Sequence, residues 1–255
     1  MAAVNVLVSI GTTHPWNIAG AGLDARVAAE YDVPHAMCVV AVSAQDARGL
    51  HALHCVPPDV IIAQMEALPP EIGAVRIGAL ASTDSLRAVL PFVQQLAARI
   101  PVVVDPVISV SLGGELAADD ALENALANEL LRLPVIVTPN LPEASQLLGL
   151  AVETFDDRSA AAQAFVQRGA RAALLKGGHR EGDTVDVLAD ASGVRSFTAP
   201  RLAGSMRGTG CTLAAALSCE LMAGAALDDA VQRAREYVRG KIAAGRMRGG
   251  LQVAF

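Results

Sequence analysis

Aromatic side chains are nearly missing from this sequence: 3% of its 255 residues are Phe, Trp or Tyr, with a single tryptophan. The core must therefore be assembled from small and branched side chains, which suits a buried parallel sheet packed by alanine-rich helices. Basic residues are also in the minority, 20 Lys and Arg against 26 Asp and Glu, for a net charge of −6. With no basic cluster, the chain has no electrostatic footprint for nucleic acid. No apolar run reaches the roughly 18 residues of a membrane span. The stretch "MAAVNVLVSIGTTHPW" shows no positive segment, signal-like apolar stretch and cleavage site in series. A cytoplasmic location with no membrane partner is the expectation. The four cysteines (38, 55, 211 and 219) include no C-x-x-C, so neither a zinc knuckle nor a redox pair is indicated, and the three besides Cys211 read as core thiols. G-x-x-x-x-G-K-[ST] is absent, and no G-x-G-x-x-G follows a strand, so a nucleotide site would have to be of another kind.

What is present is hydrophobic, 53% of residues against 18% charged, enough for one domain over residues 1–255. Short apolar runs recur at "VNVLVSI" (4–10), "AMCVVAV" (36–42), "AVRIGAL" (74–80), "PVVVDPV" (101–107), "PVIVTPN" (134–140) and "AALLKGG" (172–178). Between them lie stretches of helical periodicity, as with Leu86, Val89, Leu90, Val93 and Leu96, where Ser82 or Thr83 caps the start and Pro91 threatens a kink. "TVDVLAD" and "GVRSFTAP" around "ASG" predict an antiparallel hairpin at one sheet edge. The alternation predicts an α/β fold, a mostly parallel central sheet with helices on both faces, and ligands beyond the carboxyl ends of the strands.

Residues with chemistry cluster at those ends. Asp105, Asn140, Glu143 and Lys176 each follow an apolar run, and "GTGC" (208–211) opens an alanine-rich helix. Unpaired N–H groups and the macrodipole make a helix start an anion site, so Gly208, Thr209, Gly210 and Cys211 read as an anion hole. Paired carboxylates organise magnesium, while lysine and peptide N–H groups neutralise a polyphosphate; the combination suggests phosphoryl transfer. A helix start also favours thiolate over thiol, which would lower the Cys211 pKa and fit it as a general base.

The succession "AVSAQDARGLHALHCVPP", "VRIGALAS", "VVVDPVIS", "VTPNLPEASQLLG", "LLKGGH", "FTAPR" and "RGTGCTLAAAL" resembles the hydroxymethylpyrimidine/phosphomethylpyrimidine kinase family of thiamine biosynthesis, a branch of the ribokinase-like superfamily, over nearly the whole chain. The resemblance implies a ribokinase-like three-layer sandwich, commonly a homodimer, that moves the γ-phosphoryl of Mg-ATP to a hydroxymethyl heteroaromatic compound and then to its monophosphate. It implies Gly208, Thr209, Gly210 and Cys211 as the catalytic anion hole, with Cys211 in the place of the superfamily's aspartate. It implies Lys176 on the ATP phosphates, Asn140, Glu143 and Asp105 around nucleotide and magnesium (Glu143 and Asp105 as metal ligands), and Gln45 on the pyrimidine. It also implies that the glycine loop holding Gly20 and Gly22 lies over the substrate.

Departures from the family fall on the acceptor side. The loop "GTTHPWNIAGAG" (11–22) is longer and carries His14 and Trp16; the indole stacks on an aromatic substrate or pins the loop. Asp24 and Arg26 replace the amide and acid of I-Q-A-D, Ala79 replaces a methionine beside the ring, Ser111 stands at a usual lysine or threonine, and Arg207 replaces a histidine. Arg26 or Arg207 is a candidate for binding an acidic substituent. Pyridoxal, or a furan- or pterin-type acceptor of another cofactor pathway, therefore stays open, as does a non-catalytic metabolite-binding protein. "HALHC" (51–55) lacks the second ligand cluster of a zinc site and reads as a connector.

Overall fold

The computed structural model describes residues 5–108, 118–178, 182–204 and 206–255, so Ser111 and His179 lie outside the described residues. The predicted apolar runs form the strands β1 (Val6–Thr12), β2 (His35–Asp46), β4 (Ile72–Ile77), β5 (Val102–Val104), β6 (Ile136–Val137) and β7 (Ala172–Leu175). The expected hairpin is β8 (Thr184–Asp190) with β9 (Gly193–Ala199). One further strand, β3 (Gly49–Cys55), pairs antiparallel with β2, so "HALHC" is a sheet edge rather than a plain connector. Together they make a nine-stranded sheet in the order β3-β2-β1-β4-β5-β6-β7-β8-β9, parallel from β2 to β7 and antiparallel at both edges.

Side chains alternate across this sheet. Val8, Ile10, Val75, Ile77, Val102, Val104 and Val137 face one core with α2 (Pro58–Glu66), α3 (Thr83–Leu96), a short α4 (Leu122–Ala125) running into a π-helical turn at Leu126–Leu130, α5 (Leu141–Leu148) and α6 (Phe155–Gln167). Leu7, Ala74, Val103, Ile136, Leu174 and Leu188 face the other, with α7 (Thr209–Met222) and α8 (Leu227–Ala244); Val27 and Ala28 of α1 (Gly20–Glu30) join that layer. A small C-terminal hairpin, β10 (Arg246–Arg248) and β11 (Leu251–Val253), completes the chain. Ser82 caps α3 by accepting from the Ser85 N–H, and Pro91 is accommodated inside that helix. No helix among the described residues is long and apolar enough to cross a membrane.

The order of the sheet reverses between β1 and β4, and such a switch point opens a crevice at the strands' carboxyl ends. Past those ends the backbone ladder continues: Asp105 N–H donates to Ile77 (2.8 Å), Thr138 N–H to Val104 (2.9 Å) and Lys176 N–H to Pro139 (2.9 Å). The functional side chains thus stand on rigid extensions of the sheet.

Candidate active site

Lys176 follows β7 directly, and its Nζ donates to Asp105 Oδ1 at 2.6 Å with Glu143 Oε2 4.0 Å away. Burial disfavours its charge, but Asp105 and Glu143 outweigh that and raise its pKa, so it is an ammonium throughout the physiological range. Glu143 closes a capping box at the start of α5: Asn140 Oδ1 accepts from Glu143 N–H (2.8 Å) and Glu143 Oε2 accepts from Asn140 N–H (2.7 Å). Burial pushes Glu143 up to about 7, helped by Asp105 and opposed by Lys176. Its other oxygen, and the Asn140 amide nitrogen, have no hydrogen-bond partner among the described residues.

Across from Lys176, Gly208 begins α7 in the left-handed region (φ 80°), where a Cβ would meet the Ile18 carbonyl at 2.2 Å. Gly210 is glycine for a different reason. Its backbone is unstrained, but a Cβ would stand 3.1 Å from Lys176 Nζ and 3.7 Å from Asp105 Oδ2, filling the cradle between helix start and ammonium. Thr209, Gly210 and Cys211 are the first residues of the helix, so their N–H groups are its orphan donors.

Cys211 is half-buried, and the Arg76 guanidinium and the backbone N–H of Gly20, the first residue of α1, both favour its thiolate. Sequence reasoning missed Arg76. It is the largest fully buried side chain among the described residues, with Nη1 3.2 Å from Asp24 Oδ2 and Nη2 3.2 Å from Asp105 Oδ2. Gly78 makes room for it, since a Cβ there would lie 2.2 Å from Nη1. The signal was a charge inside the apolar run "AVRIGAL", because a buried cation needs partners. The expected lowering of the Cys211 pKa is reversed: burial raises it, Asp105 and Asp24 push the same way, and Arg76 and the Gly20 N–H only oppose.

The β2–β3 hairpin brings Gln45 to Arg207: Nε2 donates to Ser43 Oγ (2.7 Å) and Oε1 accepts from Arg207 Nη2 (3.0 Å). Ala79 packs with Leu50, Leu53 and Val107 as an apolar wall. Other expectations need correction. Asp24 is fully buried as the counter-ion of Arg76 and is out of reach of an acceptor, because α1 turns it inward onto β4. Gly22 serves Asn17, whose amide oxygen fills the space a Cβ would take. Gly20 is needed for its φ of 62° and its approach to the Thr12 carbonyl, and reaches the site through its N–H to Cys211. Trp16 rests its ring on Gly249 of the C-terminal hairpin and edge-on to His14, which pins the loop. Arg26 lies over the Phe255 ring, 5.5 Å from its centroid, away from the crevice.

The cradle fits a polyphosphate: a permanent ammonium, orphan N–H groups and a space kept open at Gly210. For magnesium the fit is divided. Glu143 retains a free carboxylate oxygen, whereas Asp105 is 1% exposed and engaged by Lys176, Arg76 and Thr138. Asp105 is therefore corrected from metal ligand to the anchor of two cations. His51 pairs with Asp46, and no group of three or more His, Cys, Asp or Glu side chains placed to hold a metal ion occurs among the described residues.

Comparison with known proteins agrees with this geometry. The sequence profile of the family described as phosphomethylpyrimidine kinase matches residues 17–252. A hydroxymethylpyrimidine/phosphomethylpyrimidine kinase of Streptomyces coelicolor is 41% identical over 220 residues, covering 85% of this chain and 81% of that one. The crystal structure of phosphomethylpyrimidine kinase from Clostridium difficile 630 superposes with a TM-score of 0.81 at 26% identity, covering 92% of this chain and 98% of its own. The pyridoxal kinase of Staphylococcus aureus in complex with AMP-PCP and pyridoxal gives 0.84 at 25% identity, covering 98% and 93%. The fold is ribokinase-like, the enzyme is an ATP-dependent kinase, and the chain belongs to the phosphomethylpyrimidine kinase family.

Proposed function

We propose that this kinase phosphorylates the hydroxymethyl group of 4-amino-5-hydroxymethyl-2-methylpyrimidine, or the monophosphate of that compound. The observation that carries the reading is the junction at the start of α7, where Gly210 stands beside Lys176 Nζ and Arg207, just before the helix, bonds Gln45. Lys176 and the N–H groups of residues 209–211 hold the transferring phosphoryl, and Asp105 fixes Lys176. Cys211, as thiolate beside the Arg76 guanidinium, takes the proton of an attacking hydroxyl. An acceptor phosphate is already ionised and needs no such step. Magnesium, when bound, neutralises charge on the phosphate oxygens, and the free oxygen of Glu143 is the group to hold it. The same reading has the protein working in the cytoplasm as a homodimer of one kinase domain per chain, which light scattering of the purified protein against the 26.2 kDa chain mass would check for the oligomer.

The test is acceptor-dependent ADP formation across a panel of hydroxymethyl heterocycles and their monophosphates. Turnover of the hydroxymethylpyrimidine compounds at about 1–100 s⁻¹, with pyridoxal far slower, is the expected result. Ala79, smaller than the residue it replaces, motivates keeping larger rings in the panel. A pyridoxal- or pterin-type compound turned over in preference to both pyrimidines would displace this reading.

A further inference from the structure

Arg207 is a half-buried cation with no carboxylate beside it among the described residues, Cys211 being the group whose charge favours it. Its backbone N–H donates to the Gln252 carbonyl at 2.9 Å, which fixes the residue against the C-terminal hairpin just before the anion hole. Its Nη2 donates to Gln45 Oε1, while Nη1 is buried and unpartnered among the described residues. Burial accordingly lowers its pKa. A guanidinium removed from water without a counter-charge is costly, and it persists where a ligand supplies that charge.

His14 points the same way. It is 2% exposed, and its Nδ1 accepts the Trp16 N–H at 3.1 Å, which puts the ring proton on Nε2. That Nε2–H is buried with no acceptor. Burial and the nearby charge of Arg207 hold the ring at about 4, so at neutral pH it is a neutral donor beside a cation. Gln45 satisfies neither group: its oxygen accepts from Nη2 and its nitrogen donates to Ser43 Oγ.

What this end of the crevice lacks is an anion. We propose that Arg207 Nη1 and His14 Nε2–H form an oxyanion subsite, so that the preferred acceptor carries an anionic substituent, either a phosphate ester on its hydroxymethyl group or a carboxylate on its ring. The proposal rests on the kinase reading of the same crevice and deepens it. Arg207 is here a specificity residue, and Cys211, whose charge favours its guanidinium, is its catalytic neighbour.

The experiment compares three acceptors: the neutral hydroxymethylpyrimidine, its monophosphate, and a hydroxymethyl heteroaromatic carboxylate. ADP formation and calorimetric binding are measured for each with the wild type, Arg207→Gln, Arg207→Lys and His14→Gln, all checked for an unchanged melting temperature. Loss of a hydrogen-bonded charge predicts a roughly 10–100-fold rise in KM or Kd for the anionic acceptor in Arg207→Gln, a few-fold change for the neutral one, and partial recovery in Arg207→Lys. Whether the phosphate or the carboxylate carries the selective loss identifies the source of the anion. Equal losses on all three acceptors, or a wild type with no preference for an anion, would overturn the subsite. Absence of ADP with every acceptor defeats the kinase reading instead; monophosphate binding weakened by Arg207→Gln would still support the subsite, and binding left unchanged would sink both.

Discussion

At the scale of a single residue, Cys211 carries the sharpest expectation. Its pKa is raised, chiefly by burial, so in the resting enzyme the thiol form dominates at neutral pH. Only the thiolate fraction accepts a proton, and phosphorylation of an alcohol should climb with pH through the ordinary thiol range and beyond. The monophosphate reaction should lack that limb. Cys211→Ala should cost about 10²–10⁴-fold in kcat for the alcohol and much less for the phosphate. Alkylation of Cys211 by iodoacetamide should have its midpoint above that of a free cysteine thiol, and a midpoint below it would contradict the electrostatics. The placement of Cys211 and Lys176 was legible in the sequence because each stands at a predicted element boundary. Arg76 was not, since its partners Asp24 and Asp105 are 52 and 29 residues away along the chain, and only folding brings them within 3.2 Å.

At the scale of the element, the start of α7 separates two uses of glycine. Gly208→Ala meets a left-handed backbone and the Ile18 carbonyl at 2.2 Å, and should destabilise the protein by more than about 2 kcal/mol, read as a fall in melting temperature. Gly210→Ala should leave the fold intact, because its backbone is ordinary, yet crowd Lys176 Nζ at 3.1 Å and raise KM for ATP at least several-fold. If both variants melt early and bind nucleotide equally poorly, the cradle has been misassigned. Ser82→Ala, which removes the cap of α3, should cost about 1 kcal/mol with no kinetic change. The parallel strands and the β8–β9 hairpin were readable from apolar runs and turn residues. β3 was not: its faces mix exposed His51 and His54 with half-buried Leu50 and Leu53, so the run has no clean alternation. That strand forms because β2 offers an edge, a tertiary cause that periodicity does not record, and the placement of Leu50, Leu53 and Gln45 depends on it.

At the scale of the whole molecule, buried titratable groups pull stability in opposite directions with pH. His14 and His35 are both held at about 4 by burial, against an ordinary 6.5. Between those values the unfolded chain binds more protons on them, so their contribution makes stability rise with pH. Asp24 is raised to about 6 from 3.8, and Glu143 to about 7 from 4.5, burial being the main cause for each. Over that span the folded protein holds more protons on these carboxyls, a stabilisation complete at low pH and lost as pH climbs through the folded values. Asp46 and Asp190, held well below the usual range by hydrogen bonds from Arg48 and Arg195, act only in more acid solution. Two histidines against two carboxyls leave almost no net proton difference from about pH 4.5 to 6, and the melting temperature of the nucleotide-free wild type should be nearly flat there. Asp24→Asn removes one side of the balance and should tilt the profile, with stability rising by about 1 kcal/mol per pH unit. His35→Asn, which loses the ring bonded to Ser9 Oγ at 3.0 Å, should tilt it the other way. Thermal melts at half-unit steps decide the matter: an Asp24→Asn profile as flat as the wild type would mean that Asp24 remains ionised throughout, held by Arg76 more strongly than burial opposes it.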